Sequence, residues 1–266
     1  MSATTRSAAG VPDFTIVTEH GGEAVSAGQM ARLHQRYGWA GSYCHDKDVL
    51  EAACGTGPGL GYLNAVSRRL VAGDLSAAVL AVAQQHYGTR IDLRPFDACS
   101  VPFDDASFDV VILFEALYYL PDIERFFTEA HRLLRPRGVL LLATANKDLF
   151  DFNPSPFSHR YYNPPELAAL LATAGFTSEF FGGSPISPPG FSSTVFRLAK
   201  KIAVACHLIP RSMRGKRLLK RLVFGRLVRM PRELTPDQVK FEPPVPTAAQ
   251  RPDRIHQVLY CAATKA

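Results

Sequence analysis

Nowhere in the 266 residues is there a run of about 18 apolar residues, so the sequence offers no membrane-spanning helix. Met1 to Gly10 lacks the apolar stretch of a secretory leader. Arg6 is the only charge before Asp13, which suits either a short organellar targeting segment or a plain frayed terminus. Cysteine is scarce: Cys44, Cys54, Cys99, Cys206 and Cys261 are odd in number, and no two form a CxxC pair. That spacing argues against a zinc cluster or a disulfide framework and gives no metal site. It fits a reducing, cytoplasmic compartment.

Acidic residues are missing from one long stretch. Between Ser184 and Arg232 stand twelve Arg or Lys residues and no Asp or Glu. The whole chain has 30 basic and 24 acidic residues, so the remainder is left with 18 basic against 24 acidic. One segment therefore makes the protein basic. Acidic partners fit it: phospholipid headgroups, a phosphorylated substrate or nucleic acid.

The rest of the composition is ordinary. Hydrophobic residues make up 47% and charged residues 20%, which argues against a chain disordered throughout. The length fits one or two domains. Residues 1–27 are small, polar and turn-rich and read as a flexible arm. Gln29 to Trp39 has helical spacing. From Asp48 onward, short apolar runs alternate with helical ones. Strands are expected at Val49–Ala53, Leu70–Ala72, Ile91–Leu93, Phe108–Phe114 and Val139–Thr144. Helices are expected at Gly59–Ser67, from the Ser76 cap to Tyr87, at Asp122–Leu134, and from Asn163-Pro164-Pro165-Glu166 to Gly175. Thr177–Phe181 and His256–Ala263 complete the strands. This alternation predicts an α/β fold with a mostly parallel sheet covered on both faces. The chain then divides into the arm, a core over 28–182, a basic insertion over 183–254 and a last core strand in 255–266.

The most informative segment is Val49-Leu50-Glu51-Ala52-Ala53-Cys54-Gly55-Thr56-Gly57-Pro58-Gly59. Glycines directly after a strand let a ligand approach the backbone. An acid inside the strand, Glu51, is costly in a dry core without a partner, and a ligand ammonium group would supply one. A plain tight turn, a dinucleotide loop and an S-adenosylmethionine site compete here. The dinucleotide pattern needs glycine where Leu60 stands, and Pro58 removes an N–H that a pyrophosphate would use. Two further acids follow at strand ends. Asp74 lies 19 residues after Gly55 and can accept from ribose hydroxyls, and Asp97 can accept from an adenine amino group.

With these pieces the chain resembles a class I S-adenosylmethionine-dependent methyltransferase of the small-molecule, type 11-like kind. The resemblance rests on Glu51 to Gly59, Gly73-Asp74-Leu75-Ser76, Phe96-Asp97-Ala98, Pro102 to Asp109, and Leu133-Leu134-Arg135-Pro136-Arg137-Gly138. It covers about residues 30–180 and the last strand. Ala53 departs from the glycine often found there. The resemblance implies a Rossmann-like sheet of seven strands with the last antiparallel, and S-adenosyl-L-methionine as cofactor. It implies that Glu51, Gly55 and Gly57 hold the methionine end and that Asp74 and Leu75 hold the ribose and flank the adenine. Asp97 and Ala98 would contact the adenine, and Phe114 would lie near the methionine. Tyr37 would either cover the cofactor carboxylate or pack in the core, and Trp39 is a core residue.

The resemblance fixes no catalytic base. His159 is the first nominee, with a plain surface histidine as the alternative. Glu115 and Tyr119, in the loop after the fourth strand, join it, although a tyrosine titrating near 10 is a weak base at neutral pH. His45 and His256 are weaker nominees, and His131 is read as structural. Arg160, Tyr161 and Tyr162 either frame an acidic or ring-shaped acceptor or simply pack. Phe191 to Arg232 reads as two amphipathic helices separated by Pro210. They suit a lid, a contact with an anionic membrane or lipid-linked substrate, or a solvated pair; nucleic acid fits less well for want of interleaved aromatics. The expectation is a methyltransferase, by default an O-methyltransferase, acting on a small-molecule, lipid-linked or glycan-precursor acceptor. A non-catalytic membrane-associated binding module and an NAD-dependent oxidoreductase are the alternatives.

Overall fold

The computed structural model describes residues 14–186 and 227–266. Ten strands and five α-helices occur among them: β1 (Ala24–Ser26), α1 (Ala27–Cys44), β2 (Asp48–Glu51), α2 (Leu60–Val66), β3 (Arg69–Asp74), α3 (Ala77–Tyr87), β4 (Asp92–Pro95), β5 (Phe108–Phe114), α4 (Ile123–Leu133), β6 (Leu134–Ala145), α5 (Pro164–Thr173), β7 (Phe176–Pro185), β8 (Leu227–Arg229), β9 (Val245–Thr247) and β10 (His256–Lys265). The main sheet runs β4-β3-β2-β5-β6-β10-β7-β9. The strands from β4 to β6 pair in parallel, and β10 is antiparallel to both β6 and β7. This is the expected α/β sheet with its antiparallel strand. It has eight strands rather than seven, because β9 adds to the exposed edge of β7 through the register Phe180↔Thr247 to Gly182↔Val245.

Strand residues alternate between two cores. Val49, Leu70, Ala72, Val110, Ile112 and Leu141 face the core shared with α1, α2 and α3. Leu50, Val71, Val111, Leu113, Leu140 and Leu142 face the core shared with α4 and α5. Period-2 alternation with both faces apolar explains why these strands read as continuous hydrophobic runs. On α4, Ile123, Phe126, Phe127, Ala130 and Leu133 are buried at helical spacing. Truncating a side chain as buried as Phe127 costs about 3–5 kcal/mol.

Helix ends follow the sequence signals. Ser26 and Gln29 form a reciprocal capping box at α1, as do Asn163 and Glu166 at α5. Ser76 caps α3 through the Val79 N–H. The segment Arg135-Pro136-Arg137-Gly138 does not form a loop of its own: β6 starts at Leu134, directly after α4. Arg135 instead bridges the starts of two strands, 2.8 Å from Asp48 and 2.9 Å from Asp109. That accounts for the one acid in β5: Asp109 belongs to an ion cluster at the end of the sheet opposite the glycine loop.

Of the segment read as a flexible arm, residues 14–27 are described. Phe14–Ile16 makes one 3-10 turn, and β1 pairs antiparallel with β8. Backbone bonds between Gly22 and Met230 and between Met230 and Glu23 extend this pairing. The two basic helices expected between Phe191 and Arg232 lie mostly outside the described residues; the part from 227 forms β8 and a loop.

Candidate active site

The carboxyl ends of β2, β3, β5 and β6 border a cleft of about 530 Å3, a volume in the range of small-molecule sites. Crevices at strand carboxyl ends are where open α/β sheets bind ligands. The residues from Ala52 to Thr56 form one wall, with Pro58. Gly55 (φ +59) and Gly57 (φ +79) adopt left-handed backbone that side chains disfavour. The loop is held at both ends. Cys54 donates its N–H to the Gly73 carbonyl, and the Gly55 N–H donates to Asp74 Oδ2 at 3.0 Å. The Tyr87 hydroxyl, buried under the loop, donates to the Gly57 carbonyl at 2.7 Å and accepts from the Gly61 N–H at 3.2 Å.

Asp74 and Leu75 line the cleft. The other Asp74 oxygen accepts from the Ser76 N–H at 2.8 Å. Burial pushes the Asp74 carboxyl upward, and its two backbone bonds oppose that shift. Leu75 is 52% exposed, an apolar side chain left bare at the cleft wall. Asp97 and Ala98 line the same space, and Asp97 Oδ1 caps its own turn by accepting from the Cys99 N–H at 2.8 Å.

Glu51 lies behind the loop, fully buried. Tyr37 donates its hydroxyl to Glu51 Oε1 at 2.8 Å, while Glu51 Oε2 has no partner among the described residues. Burial pushes the Glu51 carboxyl up to about 7, against the Tyr37 bond and the positive Arg36. Tyr37 is a cleft residue and a core residue at once. Its ring packs edge-on to Phe114 at 5.8 Å and sits so close to Gly59 that a Cβ there would lie 2.0 Å from it. Trp39 is a core residue, packed on Tyr260 at 5.1 Å and Tyr43 at 5.3 Å.

The opposite wall holds Phe114, Glu115, Tyr118 and Tyr119. Glu115 has φ +52, a conformation that is unusual for a residue with a side chain and concentrates at functional sites. Its Oε1 lies 3.7 Å from Arg36 Nη1, and Oε2 accepts from the Tyr118 hydroxyl at 3.1 Å. Burial raises the Glu115 carboxyl pKa, and Arg36 opposes the rise. Tyr119 shares a 2.5 Å hydrogen bond with Ser155 Oγ and packs edge-on to Phe14.

His159 is not brought into this space. It is exposed, does not line the cleft, and meets Tyr118 only through its backbone N–H. Arg160, Tyr161 and Tyr162 also lie off the cleft lining. Arg160 pairs with Glu166 and covers the Tyr162 ring, and Tyr161 stacks on Tyr118 at 4.4 Å. His45 is exposed beside Asp46, and His256 is held by Asp253 at 2.8 Å. His131 packs edge-on to Phe176, with its pKa lowered by burial. Gly57 and Glu51 stand behind the lining rather than in it.

Several cleft residues carry no motif in the sequence. Phe14, Val17, Thr18 and Glu19 come from the arm, Gln29, Arg32 and Arg36 from α1, and Gln257 and Val258 from β10. Glu19 pairs with Arg36 at 2.8 Å, and its carbonyl accepts from the Thr56 hydroxyl at 2.5 Å, which fastens the arm to the glycine loop. Arg36 is 7% exposed; burial pulls its pKa down, but Glu19 and Glu115 outweigh it and the net shift is upward. The available signal was the spacing of Arg32 and Arg36, one turn apart on the helix that carries Tyr37.

This fold, with its cleft at the strand carboxyl ends, is similar to that of S-adenosylmethionine-dependent methyltransferases. A family described as "Methyltransferase domain" matches residues 50–142. A probable S-adenosylmethionine-dependent methyltransferase of Mycolicibacterium smegmatis is 40% identical over 140 residues, 51% of this chain and 54% of that protein. Phthiotriol/phenolphthiotriol dimycocerosates methyltransferase 1 of Mycobacterium ulcerans is 39% identical over 98 residues, 36% of each chain. The chain thus spans about half the length, or less, of these curated relatives. In fold, the chain is similar to a S-adenosylmethionine-dependent methyltransferase of Thermotoga maritima, described as a possible histamine N-methyltransferase. The TM-score is 0.56 at 15% identity, over 90% of this chain and 91% of that one.

Proposed function

We propose that this chain transfers a methyl group from S-adenosyl-L-methionine to a small acceptor, by default at an oxygen, and that the acceptor is lipid-linked. The observation that carries the reading is one cleft lined together by Gly55, Asp74, Leu75, Asp97, Ala98 and Phe114. These residues fit the cofactor. The unpartnered buried Glu51 oxygen calls for a positive group, which the amino end supplies. Asp74 would hold the ribose hydroxyls, Leu75 and Ala98 would flank the adenine beside Asp97, and Phe114 and Tyr37 would close around the methionine end near Gly55 and Gly57.

The cofactor supplies an activated methyl group, so the protein's main task is alignment. Glu115 would accept a proton from an acceptor hydroxyl at Oε1, and burial tunes its pKa toward that task. Tyr119 would form the acceptor wall. His159, exposed and off the lining, is left as a second nominee that a loop movement would have to bring in. The lipid-linked acceptor is supported by the likeness to the dimycocerosates methyltransferase and by the twelve-cation stretch from Ser184 to Arg232. The same stretch supports a cytoplasmic protein in peripheral contact with an anionic membrane. No described helix is long and apolar enough to cross a membrane.

Calorimetry of wild type and Asp74→Ala with S-adenosyl-L-methionine tests the reading. Wild type should bind in the micromolar range, about −8 kcal/mol, and the variant should lose at least tenfold. A folded wild type that binds NAD and not S-adenosyl-L-methionine would overturn it.

A further inference from the structure

The cleft contains two arginines on one face of α1, and they are not equivalent. Arg36 pairs with Glu19 at 2.8 Å and with Glu115 at 3.7 Å. Arg32, one turn earlier, also lines the cleft, yet no carboxylate lies within ion-pair distance of it among the described residues. Its one direct polar contact there is from Nη1 to Gln257 Oε1, at 3.0 Å. Burial, helped by the positive Arg36, lowers its pKa, and Glu115 and Glu19 only partly offset this. A half-buried guanidinium without a counter-ion is an unfavourable arrangement that an incoming anion would relieve. Arg36 pairs with both nearby acids and so reduces their repulsion of such an anion.

We infer that Arg32 is a specificity-determining residue, which binds an acidic group, carboxylate or phosphate monoester, on the methyl acceptor. The planar guanidinium fork matches either group in bidentate fashion, and Gln257 adds an amide donor beside it. Phe14, Tyr119 and Val258 line the same cleft, so the acceptor joins its acidic group to an apolar or ring-bearing body. Anchoring that group at Arg32 sets the reach of the acceptor toward Glu115. The inference rests on the methyltransferase reading for the word acceptor, but the anion site itself can be tested without it.

The experiment uses the full chain, with and without S-adenosylhomocysteine. It is titrated with octanoate, octyl phosphate and, as the neutral control, octanamide. Wild type should bind one or both anions and prefer them to octanamide. Arg32→Gln should lose tenfold or more for the anions and nothing for octanamide, and Arg32→Lys should fall between. Octanoate and octyl phosphate distinguish the two acidic groups. S-adenosylhomocysteine affinity, measured on the same samples, should be unchanged by either substitution and reports that the variants are folded. Equal anion binding by Arg32→Gln and wild type overturns the inference, as does a wild type that takes S-adenosylhomocysteine but neither anion. A wild type that takes the anions through Arg32 and ignores S-adenosylhomocysteine overturns the methyltransferase reading instead.

Discussion

The two walls of the cleft are built differently. The wall proposed for the cofactor comes from short contiguous segments at successive strand ends: Ala52 to Thr56 with Pro58, Asp74-Leu75 and Asp97-Ala98. Backbone N–H groups hold these segments by donating to carboxylates of the same wall, Gly55 N–H to Asp74 and Cys99 N–H to Asp97. The wall proposed for the acceptor draws Phe14 and Glu19 from the arm, Arg32 and Arg36 from α1, Tyr119 from the loop after β5, and Gln257 from β10. Its bonds run between side chains rather than from the backbone, as in Arg36 to Glu19, and they reach as far apart in sequence as Arg32 and Gln257. A wall whose geometry is set by local backbone can be recognised from a string of residues. One assembled across more than two hundred residues is recognised only once folded.

Three substitutions sharpen or break this contrast. The largest effect is expected at Glu51→Gln. The Glu51 carboxyl is raised to about 7 in the fold against an ordinary 4.5. Its ionisation therefore opposes folding: the stability of the unliganded chain is fullest below about 4.5 and falls as pH rises through about 7. The difference is on the order of 3 kcal/mol. Denaturant melts from pH 4 to 8 should show that slope in wild type and lose it in the variant, which becomes the more stable chain at pH 8. Cofactor affinity should drop tenfold or more in the same variant. Parallel slopes for both chains would mean that Glu51 is compensated in some other way.

A smaller effect is expected at Tyr87→Phe. The substitution deletes the hydroxyl that ties Gly57 to Gly61 and should cost about 1–3 kcal/mol, because a buried carbonyl and N–H lose a partner. Cofactor affinity should fall a few-fold, with octanoate binding unchanged if the two walls are independent. A matching loss in both would show them coupled. Least affected should be Asp92→Asn, which breaks the exposed Asp92–Arg94 pair on β4. Its thermal midpoint should change by the equivalent of less than about 1 kcal/mol.

The same contrast explains what was legible in the sequence. The succession of strands and helices along the chain, the buried helix faces and the glycine loop follow from local pattern, and the structure has them close to where the pattern puts them. Extra strands were not legible: β9 is three residues, Val245-Pro246-Thr247, held by pairing with β7 rather than by propensity. The RPRG segment reads as a helix stop followed by a loop, yet Arg135 is drawn into the sheet by Asp48 and Asp109. His159 stands in the loop beyond β6, and nothing in a loop sequence says which way its side chain turns; here it is exposed. Tyr87 reads as the last apolar residue of a helix, and only the fold reveals that its hydroxyl supports the glycine turn.

The position of β10 carries a consequence for how the molecule is made. It lies between β6 and β7, although it follows β7 by some seventy residues in the chain. While the ribosome is still making the intervening stretch, β6 presents an unpaired edge, and β7 has no neighbour through which to join the sheet. The nascent chain must hold two incomplete pieces apart until one strand arrives to zip both seams together, with seven residue pairs along β6 and nine along β7. Such late, non-local closure is slow and leaves strand edges open to wrong partners. The sheet is complete only when this last strand seats between its two neighbours.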